Sequence, residues 1–141
     1  MNLVSLRIIT ADVDRLVDFY SRLTGVEADR PVPDFAEIQT PGGTLALAST
    51  RTLGPFEAGR EADEPLAVAA ANRSVIVELL VEDVDATSVA LRSWVTTFVA
   101  GPSTMPWGNR SLLLRDPDGN LVNLFTPVTP AAVQKFSRHE R

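Results

Sequence analysis

The feature that most constrains the fold is a hairpin signal within residues 105–127. Two apolar runs, 111–114 and 121–125, flank the segment Asp116-Pro117-Asp118-Gly119-Asn120. Proline presets φ for the first turn position, Asp and Asn side chains bond to nearby backbone, and Gly accepts a positive φ. The sequence therefore predicts a β-hairpin whose turn lies between these two strands.

The first half of the chain predicts the element order βαβββ. Residues 3–9 alternate so that one side is firmly apolar, which is typical of a strand with one buried face. Asp12 then provides a helix N-cap, and apolar residues at helical spacing continue to Gly25, the expected C-terminal stop. Three strands are expected after this helix, at 26–28, 36–40 and 44–48, with Pro41-Gly42-Gly43 as the last turn.

The second half repeats this order. Glu82-Asp83-Val84-Asp85 matches Ala11-Asp12-Val13-Asp14 at an offset of 71 residues, and an alternating strand precedes it at 74–81. A helix is expected at 85–95, followed by strands at 97–100, 111–114 and 121–125. Thr129-Pro130 then begins a short terminal helix over 131–137. The predicted fold class is therefore α+β, with two tandem βαβββ modules.

The predicted order of helices and strands also gives the domain boundaries. We expect the first βαβββ module at 1–50, a linker at 51–73, the second module at 74–128 and a C-terminal helical tail at 129–141. The linker is interpreted as exposed because it combines prolines, glycines and a cluster of charges. Within it, residues 66–71 are expected to form at most one helical turn.

Composition excludes several classes of protein. A net charge of −5 argues against a nucleic-acid partner, because phosphate binding needs a concentrated basic face. The same charge suits a cationic ligand, although solubility alone also accounts for it. The absence of cysteine excludes disulfides, thiolate metal sites and a Cys nucleophile. Neither a signal peptide nor a membrane-spanning apolar run is visible, so we expect a cytoplasmic protein with no membrane partner.

The combination of motifs resembles the vicinal oxygen chelate superfamily. The resemblance is carried by the two Asp-Val-Asp junctions, the helix with Phe19-Tyr20 that ends near Leu23-Thr24-Gly25, and Pro106-Trp107-Gly108 before the hairpin. It covers residues 3–127, and the superfamily includes glyoxalase I, extradiol dioxygenases, fosfomycin-resistance enzymes and bleomycin-resistance proteins. It implies that the two modules form an open cup-shaped mixed sheet, lined by alternate strand residues, with the helices outside.

The resemblance also implies where a metal ion would bind. Metal-dependent members use a His near the start of each module's first strand and a Glu or His in each last strand. The corresponding positions here carry Ser5, Leu47 (with Ala46 as the nearest alternative), Ile76 and Asn123. Asn123 alone does not hold a divalent cation, and the only histidine, His139, lies in the predicted tail. We therefore expect no metal site and no other cofactor, and activities that depend on the metal are not expected.

Two charged residues are predicted to face the cup at equivalent positions. Arg7 and Glu78 each lie two residues after a position where metal-dependent members have His. Because the first strands of the two modules run side by side in this superfamily, one interpretation is an ion pair that satisfies both charges. The other interpretation is that one of the two contacts the ligand, or that Glu78 acts as a base. Pairing with Arg would keep Glu78 ionised, which weakens a role as general acid.

Four further residues are candidates for ligand binding. Trp107 is either an aromatic platform for a ligand or a loop-packing residue. Phe56 is either a lid in the linker or a core residue. Asn123 and Phe125 share one strand face and are expected to line the cup, where Asn123 bonds either the ligand or the backbone.

The pattern favours a metal-independent protein that binds and sequesters a small organic, partly aromatic ligand, as bleomycin-resistance proteins do. The predicted ligand-binding residues are Arg7, Glu78, Trp107, Asn123, Phe125 and Phe56, and no catalytic residue is assigned. The resemblance further implies a homodimer. Whether the protein is an enzyme stays open at this point. The alternatives are a glyoxalase-fold lyase, isomerase or dioxygenase-like enzyme with a non-standard site, and an interaction module with a vestigial cup.

Overall fold

Each half of the chain folds into a four-stranded mixed sheet with a helix packed against it. The computed structural model describes residues 1–56 and 75–137, and the chain divides into two compact units, residues 1–72 and 73–141. The predicted α+β class with two βαβββ modules is confirmed. None of the helices in the described residues is long and apolar enough to cross a lipid bilayer. Most of the predicted linker, its helical turn and His139 lie outside the described residues.

The first unit follows the predicted element order. Its elements are β1 (Ser5–Thr10), α1 (Val13–Thr24), β2 (Asp29–Val32), β3 (Phe35–Thr40) and β4 (Gly43–Ser49). The strand order is β1-β4-β3-β2, in which β1 runs parallel to β4 and the other neighbours are antiparallel. A short 3-10 helix, Thr50–Phe56, follows β4 and forms the start of the predicted linker.

Capping residues set both ends of α1, as predicted. The Asp12 carboxylate accepts the Arg15 N–H at 3.0 Å, which satisfies one of the free donors at the helix start. Gly25 ends the helix with φ 71°, a left-handed conformation that favours glycine. The side chains of Leu16 and Tyr20 are fully buried, and the helix packs against β3 and β4.

β2 begins later than predicted, at Asp29 instead of within 26–28. The Val26 N–H bonds to Thr24 Oγ1 at the end of α1, so this group serves the helix terminus instead of a strand pair. Further along, Arg30 pairs with Asp14 and donates to the carbonyl of Pro33, which fixes the short strand beside α1.

The second unit repeats the order and adds a C-terminal helix. Its elements are β5 (Ile76–Leu80), α2 (Val84–Leu91), β6 (Phe98–Thr104), β7 (Asn109–Arg115), β8 (Leu121–Pro127) and α3 (Pro130–Phe136). The strand order is β5-β8-β7-β6, and β5 runs parallel to β8. Asp83 caps α2, and Thr129 caps α3 with a proline in its first turn, as predicted.

α2 ends at Leu91, earlier than the predicted 95. The Arg92 and Trp94 N–H groups bond three residues back, to Val89 at 3.3 Å and Leu91 at 3.1 Å. The Val95 N–H still bonds four residues back, to the Leu91 carbonyl at 2.8 Å, but the bonds of Arg92 and Trp94 end the regular helix one turn early. β6 in turn extends past the predicted residue 100, because it pairs with β7 as far as Thr104.

The predicted hairpin is the β7–β8 connection, and a buried carboxylate holds its turn. Asp116 is 2% exposed. Its Oδ1 accepts the N–H groups of Asp118 and Asn120, each at 2.9 Å, and its Oδ2 accepts Asn120 Nδ2 at 2.8 Å. Gly119 takes φ 88°, which residues with a side chain rarely adopt. The hairpin prediction is confirmed, with Asp116 as the turn former.

Strand pairing corrects one of the predicted equivalences between the two modules. Asn123 pairs with Glu78 in the second sheet, and Ala46 pairs with Arg7 in the first. The equivalent of Asn123 is therefore Ala46, the alternative, and not Leu47. Leu47 is fully buried on the opposite side of its strand. Counting from Gly43 misplaces the register by one residue, because Gly43 already belongs to β4 whereas Gly119 still lies in the turn.

Candidate ligand-binding site

A set of polar side chains shares one face of the second sheet. Cross-strand pairs put Glu78 beside Asn123 and Ser111 beside Phe125, and Asn109 lies two residues before Ser111 on the same strand. Because alternate strand residues share a face, all five side chains project to one side, which we call the acceptor face. The opposite face carries the buried apolar residues Val77, Leu112, Leu114, Val122 and Leu124.

A hydrogen bond between two predicted site residues orients the centre of the acceptor face. Asn123 Nδ2 donates to Glu78 Oε1 at 3.0 Å. A carboxylate oxygen only accepts, so the amide group must turn its nitrogen toward Glu78 and its oxygen away. Glu78 is exposed, whereas Asn123 is buried. The pair therefore fixes an amide oxygen in a buried position beside an exposed carboxylate.

Three buried polar atoms on this face lack a hydrogen-bond partner among the described residues. They are Asn109 Oδ1, Ser111 Oγ and Asn123 Oδ1. The three residues are 7%, 1% and 6% exposed, so bulk solvent does not reach these atoms freely. An unsatisfied buried polar group costs about 1–3 kcal/mol, and native proteins rarely leave several together. Their grouping on one face is the strongest sign of a ligand site in the second unit.

Phe125 shares the strand face of Asn123, as parity predicted, but the C-terminal helix covers it. Its ring packs against Phe136 of α3 with centroids 5.0 Å apart, and Phe125 is 5% exposed. α3 therefore lies over the end of the acceptor face where Phe125 stands. A ligand that contacts Phe125 has to displace or share this contact.

Trp107 is exposed in a loop that is fixed to the start of α3. It is 65% exposed, and the loop closes through the Gly108 N–H to the Met105 carbonyl at 2.9 Å. Gly108 takes φ 93°, and an added Cβ would lie 2.0 Å from Thr129 Oγ1. The Gly108 carbonyl also accepts the N–H groups of Val128 and Thr129. The loop is held by backbone, so the indole ring is available as a contact surface.

In the first unit, Arg7 contacts two aromatic rings. Its guanidinium carbon lies 5.0 Å from the centroid of Phe35 and 5.6 Å from that of Phe56. Such cation–π contacts contribute about 0.5–1 kcal/mol each at exposed sites. Phe56 itself is 72% exposed, at the end of the 3-10 helix. The predicted Arg7–Glu78 ion pair would join different units and stays a prediction.

The residues at the metal-ligand positions do not fit a divalent cation. In the first unit these positions carry Ser5 and Ala46, and in the second they carry Ile76 and Asn123. The serine and asparagine oxygens are weak neutral donors, and the amide nitrogen of Asn123 is already bonded to Glu78. Across residues 1–56 and 75–137, no group of three or more His, Cys, Asp or Glu side chains comes together.

An ion pair that sequence reasoning missed lies on the other face of the second sheet. Arg110 Nε donates to Asp85 Oδ2 at 2.7 Å, and Arg110 Nη2 donates to Asp85 Oδ1 at 2.8 Å. The Arg110 hydrogen bonds lower the pKa of Asp85, and the same contacts raise the pKa of Arg110. The pair ties the start of α2 to β7 and therefore stabilises the sheet that carries the site.

Asn109 and Ser111 were also missed as site residues. Both are polar residues at alternate positions of β7, on the face opposite the apolar Leu112 and Leu114. This alternation could have indicated a polar face on β7, because a strand buried on both faces would carry apolar residues at both sets of positions.

The fold and these motifs match one known family. The family model described as "Glyoxalase/Bleomycin resistance protein/Dioxygenase superfamily" matches residues 2–124. The chain therefore belongs to this superfamily, and the resemblance to vicinal oxygen chelate proteins is confirmed. No curated protein sequence matches the chain.

Solved structures support the same fold. A glyoxalase/bleomycin resistance protein/dioxygenase from Nocardioides has 24% identity and a TM-score of 0.70, covering 92% of this chain and 85% of its own. A family enzyme from Burkholderia phytofirmans PsJN has 15% identity and a TM-score of 0.73, covering 91% and 100%. TioX from Micromonospora sp. ML1 has 23% identity and a TM-score of 0.64, covering 91% and 100%. At these identities the likeness concerns the fold.

Proposed function

We propose that this protein binds a small organic molecule at the acceptor face of the second sheet and sequesters it without a metal ion. The observation that carries the proposal is the group of three buried, unpartnered polar atoms on Asn109, Ser111 and Asn123. Hydrogen bonds from a ligand to these atoms would offset the free-energy cost of burying them without a partner. In this respect the protein is bleomycin-resistance-like.

Binding without a metal is supported by the side chains at the expected ligand positions. Ser5, Ala46, Ile76 and Asn123 supply neither a carboxylate nor an imidazole. Glu78 is a carboxylate on the acceptor face, but a single carboxylate beside an amide is a poor cage for a divalent cation. Polar anchoring in this proposal comes from hydrogen bonds of the protein itself, with Trp107 as the aromatic contact.

One observation favours an enzyme as a second candidate. Glu78 is an exposed carboxylate that Asn123 holds in a fixed orientation, as a general base requires. A lyase or isomerase of this fold would remove a proton from its substrate through Glu78. For such an enzyme, Glu78→Gln would abolish turnover and leave binding of the substrate within about tenfold.

A thermal-shift screen against antibiotics and aromatic metabolites tests the binding proposal. A ligand present at a hundred times its Kd stabilises the folded state by about 2.7 kcal/mol, which raises the Tm of a domain of this size by roughly 9 °C. Metal analysis of protein purified without chelator accompanies the screen. A stoichiometric divalent ion, required for every hit, would overturn the proposal.

A pair of variants separates binding at this face from binding elsewhere. Asn123→Ala removes the acceptor-face amide that contacts Glu78 and should abolish the shift caused by a hit. Gln39→Ala is the control, because Gln39 Nε2 also donates to a carboxylate, that of Glu37, at 3.3 Å on the surface of the first unit. Hits that shift both variants equally would place the binding site elsewhere.

The proposal includes a homodimer and a cytoplasmic location. The homodimer is carried over from the resemblance to bleomycin-resistance proteins. Light scattering during gel filtration tests the dimer, and a monomer at micromolar concentration would contradict it. Fractionation of the source cells tests the location.

A further inference from the structure

The unpartnered atoms on the acceptor face share one chemical character. Asn109 Oδ1 and Asn123 Oδ1 are amide oxygens, which only accept hydrogen bonds, and Ser111 Oγ can accept as well as donate. The Glu78 carboxylate beside Asn123 adds an anionic acceptor. The face therefore offers acceptors and negative charge to whatever binds there.

The cations close to this face are directed to other partners. Arg115 shares the face by strand register, but its Nη1 donates to the Gly119 carbonyl at 2.9 Å, at the hairpin turn. Lys135 of α3 places its ammonium 5.1 Å from the ring centroid of Phe136. Neither contact directs a donor at Asn123 or Ser111.

We infer that the ligand is an organic cation that carries a primary ammonium group, an inference that rests on the proposed function and names its ligand class. A primary ammonium has three N–H donors and no acceptor, which complements a face of acceptors. One bond to the Glu78 carboxylate is charge-assisted and therefore about twice as strong as a neutral one. A further bond satisfies the buried oxygen of Asn123, whose amide nitrogen contacts the same carboxylate. The net charge of −5 also raises the local concentration of a cation.

Three probes with the same ring and different polar groups test this inference. Benzylamine is a cation, benzyl alcohol is neutral and benzoate is an anion at pH 7. Each is titrated into ¹⁵N-labelled protein, and the side-chain amide of Asn123 and the indole N–H of Trp107 are followed by NMR. We expect benzylamine to bind about tenfold more tightly than either of the other two and to shift the Asn123 amide. Glu78→Gln should remove that preference, whereas Gln39→Ala should keep it.

The outcomes separate this inference from the proposed function. Benzyl alcohol or benzoate binding at Asn123 as tightly as benzylamine would overturn the ammonium inference and leave the binding site in place. A benzylamine preference that survives in Glu78→Gln would also overturn it. If neither these probes nor any hit of the screen shifts Asn123, the proposed function itself fails. The comparison of the three probes on the unmodified protein needs no variant to fold.

Discussion

The two units share a fold but have different residues at their matching positions. In the first unit, Arg7 pairs with Ala46, and its guanidinium group lies over the rings of Phe35 and Phe56. In the second unit, Glu78 pairs with Asn123, whose amide oxygen is left buried without a partner among the described residues. In the first unit, the Arg7 charge is therefore balanced by aromatic rings of the same unit. In the second unit, the amide oxygen of Asn123 still has room to accept a hydrogen bond. The two units therefore share a scaffold, whereas the buried polar atom without a partner at these matching positions belongs to the second unit.

The units also differ in how they close the last hairpin. The turn of the second unit is held by the buried Asp116 carboxylate, whereas the first unit uses Pro41-Gly42. The second unit further adds α3, whose Phe136 covers Phe125 on the acceptor face. The Asp116 turn and the α3 contact both stabilise β8, the strand that carries Asn123. Disrupting either one should therefore lower the free energy of unfolding more than a comparable change in the first unit.

The largest expected effect is that of Asp116→Ala. The substitution removes three hydrogen bonds and leaves two backbone N–H groups of the turn without their acceptor, so it should lower the free energy of unfolding by about 3 kcal/mol. Urea unfolding followed by circular dichroism measures it. Asp116→Asn keeps one acceptor and should cost less. Equal stability of Asp116→Ala and the unmodified protein would show that the two turns do not differ in this way.

Gly108→Ala should cause the next largest loss in the free energy of unfolding. The positive φ and the approach to Thr129 Oγ1 leave no room for a methyl group, and the expected loss is about 2 kcal/mol. The control is Gly42→Ala in the turn of the first unit, where an added Cβ meets nothing within 4 Å. Unfolding in urea compares the two. A loss for Gly42→Ala as large as that for Gly108→Ala would contradict the proposed attachment of α3 to this loop.

Arg7→Ala and Glu78→Gln together distinguish a charge that stabilises the fold from a charge that binds the ligand. For Arg7→Ala, loss of the ring contacts should lower the free energy of unfolding by about 1 kcal/mol and leave ligand affinity within twofold. Glu78→Gln should do the reverse, with a stability change under about 0.5 kcal/mol and a clear loss of affinity, because Glu78 is exposed. Denaturation and ligand titration are run on both variants. An Arg7→Ala variant that is fully stable and does not bind would reverse the assignment.

The smallest effect concerns the pH dependence of the Asp85–Arg110 pair. The folded-state pKa of Asp85 lies below its ordinary value of 3.8, so the pair stabilises the fold above that value. The contribution is lost as the pH falls through the lower folded-state pKa. Asp85→Asn should therefore flatten the acid limb of the stability curve below about pH 4, as measured by urea unfolding at several pH values. Identical slopes for the variant and the unmodified protein would contradict the ion pair.

Most of the fold could be predicted from local signals. Asp12, Asp83 and Thr129 each begin a helix where predicted, and the 116–120 turn joins the two strands that it was expected to join. These features depend on residues within a few positions of one another. The position of Ala46 could not be fixed in this way, because two adjacent glycines in the first turn leave the register of β4 open by one residue.

The candidate site was only partly predictable. The sequence placed Glu78, Asn123 and Phe125 on one face from strand parity, and the strand pairing agrees. The sequence could not show that Ser111 Oγ is buried without a hydrogen-bond partner in the described part of the chain. Its burial depends on how residues from other strands pack around it, and these residues are distant in the sequence. The sequence also could not show that α3 covers Phe125, since contacts between distant elements have no local signature.

We propose that the acceptor face of the second sheet binds a small molecule without a metal ion. The most direct measurement is an NMR titration of metal-free, ¹⁵N-labelled protein with a hit from the thermal-shift screen, observing the side-chain amide of Asn123. We predict a saturable shift of this signal whose Kd agrees with the thermal result and which is unchanged by added chelator. A hit that binds without moving the Asn123 signal, or moves it only when a divalent cation is added, would contradict the claim.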